Sequence, residues 1–371
     1  VARNEYDDDG RLIATIDADG NRMEYDYDVE GRTQSVKDRR GNTTVYTYDD
    51  NGNVLRTVDA YGNKTTNTYD KSNNLLSTTD ANGNTTRYAY DTSGNVTKVT
   101  AADGTTVDST YTQENLVSSI QMMDKTVMEM EYDDKGRITS VEDSNGNETE
   151  YSYTGDGKLT GLTDAIGTYQ KVTYDSEGNV ASTTNGAGES ASYTYDKDGK
   201  VTSVTISRED DGKTLTFTSH YSYNAAGDIT ESIDNAGNVI KYEYDDNGNQ
   251  TASIDAKGRR ITYEYDDLGN MTKTAYPDGT FESFTYDANG NNITATDRRG
   301  LTVTMKYDKL NRMTEKAYAD GTKETYAYDA VGNVTEQTST SGAKTMYVYD
   351  ERNRNTSITD ALGNVTTFAY D

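Results

Sequence analysis

His220 is the sole histidine of a 371-residue chain that has no cysteine. A protein zinc site needs three or four nitrogen, sulfur or carboxylate ligands, and His220 has no second histidine or cysteine to join. It precedes Tyr221 in an extended stretch, which predicts an exposed structural position. Carboxylates are abundant instead. Asp7-Asp8-Asp9 and Glu209-Asp210-Asp211 offer the hard oxygen ligands that calcium takes. They lack the spacing of an EF-hand, and an Asp at the head of a turn already has work capping that turn. No Gly-x-Ser-x-Gly elbow, phosphate-binding Gly-Lys-Ser/Thr loop or dinucleotide fingerprint placed before a helix is present. The expectation is a non-enzyme without cofactor or metal.

Tyrosine is the residue whose spacing is regular. Tyr6, Tyr27, Tyr48, Tyr69, Tyr90, Tyr111, Tyr132, Tyr153, Tyr174 and Tyr195 follow one another at 21-residue steps. One 28-residue step leads to Tyr223, and the 21-residue step resumes at Tyr244, Tyr265, Tyr286, Tyr307, Tyr328, Tyr349 and Tyr370. A fixed period of this length marks a repeat architecture.

Each cycle carries two turns. The first follows the register Tyr, as in Tyr6-Asp7-Asp8-Asp9-Gly10, with Asp at the first turn position and Gly at the fourth. The second lies about half a cycle on, as in Asp17-Ala18-Asp19-Gly20. Between turns lie six or seven residues rich in Thr, Val, Ile and Tyr, a normal strand length and composition. A Gly at nearly every tenth or eleventh position excludes helix. Gly10, Gly31, Gly52 and Gly94 occupy the first-turn position that calls for a left-handed backbone. Where Gly is missing there, at Asn73, Asn115, Asn311 and Asn353, the replacement is always Asn, the other residue that tolerates positive φ.

These elements predict an all-β fold, a continuous antiparallel sheet of about 34 strands built from hairpin repeats. Register tyrosines recur on every second strand, about 9.6 Å apart. The strand between supplies a filler such as Leu12, Val54, Leu75, Val96, Ile138, Leu159, Val180 or Val334. Aromatic against aliphatic is a favourable cross-strand pair, so the tyrosines form a structural stripe across the strands. Tyrosine suits a thin wall because its hydroxyl can reach water or a backbone partner. An open sheet this long must curl into a spiral, a hollow shell or a tube. A propeller with two repeats per blade would need alternate repeats to differ, and they do not.

The apolar fraction of 32% argues against a thick solid core, and the net charge of −27 is spread over every repeat. Such a surface repels nucleic acid and anionic membranes, so neither is an expected partner. No apolar run approaches the ~20 residues of a membrane helix. The pattern runs over residues 1–371 as one domain. It begins and ends inside a repeat, which predicts a segment of a larger protein whose remaining domains are its partners.

Three places break the regularity. Gln121-Met122-Met123-Asp124-Lys125-Thr126 erodes the second turn, and Met122, Met123, Met128 and Met130 gather there as a drifted repeat or a contact patch. The extra seven residues between Tyr195 and Tyr223 predict a longer hairpin at 199–227, projecting about 10 Å beyond its neighbours. Arg39-Arg40-Gly41 and Arg298-Arg299-Gly300 form small basic turns expected to be exposed.

The motif Tyr-Asp-x-x-Gly-Asn/Arg, as in Tyr48-Asp49-Asp50-Asn51-Gly52-Asn53 and Tyr265-Asp266-Asp267-Leu268-Gly269-Asn270, resembles the YD-repeat or Rhs family. That family includes bacterial Rhs and wall-associated proteins, shell-forming parts of insecticidal Tc toxin complexes, and teneurins. The resemblance covers essentially the whole chain and implies a spiralling sheet wrapped into a hollow shell around a toxin or effector cargo. It also implies a secreted or surface-exposed bacterial protein. Its alternative is a cell-surface stalk or adhesin that presents distant binding domains. The family's Asp-Pro-x-Gly-Leu core motif is missing, since the sole proline is Pro277. The self-cleaving aspartate and the variable toxin tip therefore do not carry over.

Overall fold

A computed structural model describes residues 3–123, 125–167 and 169–370. Asp124, in the eroded turn, lies outside them. The described residues hold 35 strands and no helix, numbered β1 to β35 in chain order, and all belong to one sheet. Backbone contacts group the chain into two units: unit 1 comprises Val1–Thr106 and Tyr263–Asp371, and unit 2 is Val107–Thr262.

One cycle shows why the sequence folds this way. β5 (Thr43–Tyr48) and β6 (Val54–Val58) form a hairpin closed by Asp49–Asn53. The Asp49 amide donates to the Asn53 carbonyl at 3.0 Å, and the Gly52 amide donates to the Asp49 carbonyl at 3.2 Å. Gly52 adopts φ 85°, where a Cβ would be strained. Asn73, Asn115, Asn311 and Asn353 take the same left-handed state with φ of 65°, 63°, 61° and 60°. Tyr48 stands opposite Val54 and Thr47 opposite Arg56, so Leu55 is the extra residue of a β-bulge. The next hairpin is shorter: β6 pairs with β7 (Lys64–Tyr69) only through Arg56–Val58.

The second repeat departs from this plan. β3 (Arg22–Asp28) runs one residue longer, pairing Tyr27 with Gln34 and Asp28 with Thr33 of β4 (Thr33–Lys37). The left-handed residue is therefore Arg32 at φ 52°, and Gly31 is not at positive φ as its place in the repeat predicts. The Asp28 carboxylate accepts the Gly31 amide at 2.8 Å and fills the space a Cβ would need there. Gly31 is demanded by room, not by dihedral angle.

The sheet is thin. Ala14 and Ala252 are fully buried, and no larger described side chain is. One face carries the register tyrosines. The other is a lattice of hydroxyls and charges, with Thr68 against Ser77 at 2.6 Å, Thr173 against Ser182 at 2.7 Å, and Glu315 held by Lys306 and Lys323. β20 (Val201–Asp210) and β21 (Lys213–Tyr223) are about twice the usual length and turn at Asp211-Gly212, both at positive φ. Val204, Ile206 and Phe217 share the tyrosine side of this hairpin, with Ile206 directly opposite Phe217. Ser203 is paired with His220, which sits on the exposed polar side.

Candidate functional site

Two arrangements of side chains recur and position everything else. The first is a ladder of tyrosine hydroxyls. Val54 lies beyond the end of the β6–β7 pairing, and the Tyr69 hydroxyl reaches across to donate to its carbonyl at 3.2 Å. The same bond links Tyr90 to Leu75, Tyr132 to Val117, Tyr153 to Ile138, Tyr174 to Leu159, Tyr195 to Val180 and Tyr244 to Ile229, at 2.7–2.9 Å. Tyr223 reaches Val201 across the lengthened repeat at 2.7 Å. Tyr286, Tyr307, Tyr328, Tyr349 and Tyr370 continue it in unit 1. Each acceptor belongs to the filler that opposes the previous register tyrosine. Satisfying a carbonyl that the splayed strands leave outside the ladder is worth about 1 kcal/mol per bond. Tyr48, facing the shifted repeat, donates instead to the Gln34 side chain at 2.9 Å. Tyr6 is 57% exposed at the start of the ladder.

The first-turn aspartates form the frame of this ladder. Asp49 Oδ1 accepts the amides of Asn51 and Asn53 at 2.9 Å each, and Oδ2 accepts the Asn53 side chain at 2.8 Å. The Asn53 side-chain bond, with the turn amides, holds the Asp49 carboxyl below its ordinary range despite some desolvation. Arg137 does this most strongly, lowering Asp133 to about 2. The residue after the left-handed position also reaches into the next repeat. Arg137 stacks on the Tyr153 ring at 4.7 Å and donates to the Thr154 carbonyl at 3.1 Å. Asn53, Asn291 and Asn333 donate to the amide oxygens of Asn73, Asn311 and Asn353. Each left-handed Asn has an Asn twenty positions before it, at 53, 95, 291 and 333. That spacing was a readable signal for a linkage that the dihedral argument alone did not reveal.

The second arrangement is a seam inside unit 1, where second turns of its first segment meet first turns of its second. Gly41 and Gly290, Gly62 and Asn311, Gly83 and Gly332, and Gly104 and Asn353 are paired turns, each 249 positions apart. The side chain before the second-turn glycine makes the contact in each case. Arg40 donates to the carbonyls of Asp308 at 2.9 Å and Tyr307 at 3.1 Å, and to the Asn311 amide oxygen at 3.1 Å. It also faces Asp287 at 3.4 Å, and Asn289 donates to Asp38 at 2.8 Å. Lys309 and Arg312 lie over the Tyr61 ring at 5.4 and 5.9 Å. Asn82 donates to Asp329 at 3.0 Å, and Asp103 faces Arg354 at 3.4 Å and Arg352 at 3.8 Å. Cation meets carbonyl and carboxylate, ring meets cation, amide meets carboxylate. Burial raises Asp38, but the bonds from Asn42, Asn289 and Arg40 outweigh it, and its carboxyl sits below the ordinary range. The expectation that Arg40 is exposed is thus corrected: its side chain is 25% exposed, because the seam gives its guanidinium acceptors.

Among the described residues, no group of three or more His, Cys, Asp or Glu is arranged to hold a metal ion, and no helix is long and apolar enough to cross a membrane.

The arrangement of aspartate turns and tyrosines can be compared with known proteins. The Rhs repeat model matches residues 6–32, 27–64, 69–106, 244–280 and 286–323, and the teneurin YD-shell model matches 105–261. The chain belongs to the YD-repeat family. Among curated proteins none matches this YD-repeat chain. Its fold is similar to that of solved Tc toxin structures. The crystal structure of TcdB2-TccC3-TEV has a TM-score of 0.68 at 15% identity over 99% of this chain. TcdB2-TccC3 without its hypervariable C-terminal region gives 0.70 at 14% over 99%. The Photorhabdus luminescens Tc holotoxin pore gives 0.57 at 15% over 99%. In each, the YD-repeat chain spans 22% of the length of the chain it matches.

Proposed function

We propose that this YD-repeat chain is a wall segment of a shell that encloses a C-terminal toxin or effector cargo within a longer, secreted or surface-exposed bacterial polypeptide. The observation that carries the reading is an uninterrupted sheet, tied strand to strand by tyrosine hydroxyls, whose fold matches the TcdB2-TccC3 chains. A thin sheet with a polar lattice on one face and rings on the other suits a partition better than a solid core. Its work is mechanical: it binds successive hairpins together and excludes what lies on the far side. The cargo and the remaining domains of the same polypeptide are its partners in this reading. Electron microscopy of the purified chain tests it. A curved or hollow particle is the expected result, and a thin straight rod would favour the stalk or adhesin instead.

A further inference from the structure

Asn51, Asn82, Asn145, Asn185, Asn247 and Asn289 are each followed directly by glycine. Glycine carries no Cβ to crowd its amide, so in such a pair the backbone nitrogen can close onto the side-chain carbonyl. In five of the pairs the turn already holds that amide. Gly52, Gly83, Gly146, Gly248 and Gly290 donate to the carbonyl of the aspartate that heads their turn, at 2.9–3.2 Å. Asn185 differs because it heads its own turn. That turn joins β18 (Val180–Thr184) to β19 (Ser190–Tyr195), and its closing bond runs from the Gly188 amide to the Asn185 carbonyl at 3.0 Å. Gly186 is exposed, and its amide donates to no group among the described residues. Its φ is not positive, and Ala18, Ala60, Ala81 and Ala165 stand at the same place in other second turns. The backbone therefore does not require glycine there.

The side chains of this turn also run with reversed polarity. In the turn headed by Asp143, Oδ1 accepts the amides of Asn145 and Asn147 at 2.8 and 2.9 Å, and Oδ2 accepts the Asn147 side chain at 2.7 Å. Asn185 Oδ1 likewise accepts the amides of Ala187 and Glu189 at 3.1 and 3.0 Å, but its Nδ2 donates to the Glu189 carboxylate at 2.9 Å. Two backbone donors on the amide oxygen polarise Cγ and favour negative charge on that oxygen. We propose that Asn185 is a self-modification site: it cyclises onto Gly186, loses its side-chain nitrogen as ammonia, and so releases the turn. The Gly186 nitrogen forms a bond to Asn185 Cγ and gives up its proton to solvent, and the Cγ–Nδ2 bond breaks. Solvent water then opens the five-membered imide at either carbonyl, leaving an aspartyl or an isoaspartyl residue. Either product sets a second carboxylate against Glu189 where a donor stood, and like charges at that separation repel.

The fold contains its own control. Asn224 Oδ1 accepts the amides of Gly227 and Asp228 at 2.8 and 2.9 Å, and its Nδ2 donates to Asp228 at 2.9 Å, but Ala225 follows it. Peptide mass spectrometry of the intact chain, aged in mildly alkaline buffer, tests the proposal. Asn185 should convert at least ~10-fold faster than the five tied Asn-Gly pairs and than Asn224. In urea the six Asn-Gly pairs should converge on one rate, no faster than that of Asn185 in the fold. Gly186→Ala should slow Asn185 to the rate of Asn224. Asn185→Asp, the product, should speed hydrogen exchange of the Ala187 and Glu189 amides. Conversion of Asn185 no faster than at the tied pairs, a lead that persists in urea, or faster conversion in urea than in the fold overturns the proposal. So does a rate indifferent to Gly186→Ala, or unchanged exchange in Asn185→Asp.

Discussion

The same position does different work in the two units. In the first segment of unit 1 the residue before the glycine of the second turns at 41, 62, 83 and 104 is Arg40, Tyr61, Asn82 or Asp103, and each meets a first turn of the other segment. In unit 2 the residue at that place before Gly167 is Ile166, which is 88% exposed. The strands, bulges and tyrosine bonds are alike on both sides of the comparison. Neighbouring hairpins are therefore joined by a general device, the tyrosine ladder. Distant hairpins are joined by a local one, written in the variable residue of the second turn. A repeat protein with nearest-neighbour contacts alone would behave as a one-dimensional stack. The seam gives unit 1 a second kind of cohesion.

Acid should break the comparison most thoroughly. First-turn aspartates such as Asp49, Asp133 and Asp245 are held below their ordinary range by side-chain and backbone donors. A lowered folded pKa contributes stability that is complete above the unfolded value near ~4 and is lost as pH falls through the folded value. Asp133, at about 2, marks the lower end of that window. A circular dichroism titration should show both units losing structure between those limits. Hydrogen exchange should show seam amides of unit 1 responding as well, since Asp38 and Asp329 are also lowered, burial being outweighed by side-chain bonds that include Asn289 and Asn82.

Next in size is removal of a register ring. Tyr153→Ala in unit 2 and Tyr328→Ala in unit 1 should each cost about 3 kcal/mol, since ring, stacked arginine and carbonyl bond go together. Thermal unfolding measures it; an unchanged melting curve would remove the stripe from the account. Arg40→Ala should cost about 2 kcal/mol and speed amide exchange near Tyr307–Asn311 while leaving unit 2 protected. Equal loosening of both units would show that the seam is not local.

Tyr153→Phe isolates the hydroxyl and should cost about 1 kcal/mol in chemical denaturation. A neutral result would leave the rings as packing alone. At the small end, Ile166→Ser should change stability by less than ~0.5 kcal/mol, since the side chain has lost little water. A larger loss would mean that second turns of unit 2 are engaged after all.

Much of this was legible in the residues. Period, strand content, turn chemistry and filler positions all follow from a 21-residue cycle whose Asp and Gly or Asn punctuate alternating β-formers. Tyr69 opposite Leu75 was readable because hairpin length sets register. The acceptor of the Tyr90 hydroxyl was not, because it depends on where two strands splay. Gly31 misled because its repeat looks ordinary; one more ladder pair, Asp28 with Thr33, moved the left-handed residue to Arg32. Arg40 and Arg299 sit in identical four-residue turns, and nothing local separates the arginine that docks across the seam from the one that folds back on its own Asp297.

By itself, then, the sequence determined the repeat: which residues are strand, which turn, and which ring faces which filler. These are decided within some twenty residues by steric limits on φ and by the two-residue alternation of a strand. Only the tertiary structure decided that Gly41 lies against Gly290 and that Asp103 finds Arg354. That pairing rests on the twist added at each strand and summed over many. Such a sum belongs to no single repeat, so no single repeat could announce it.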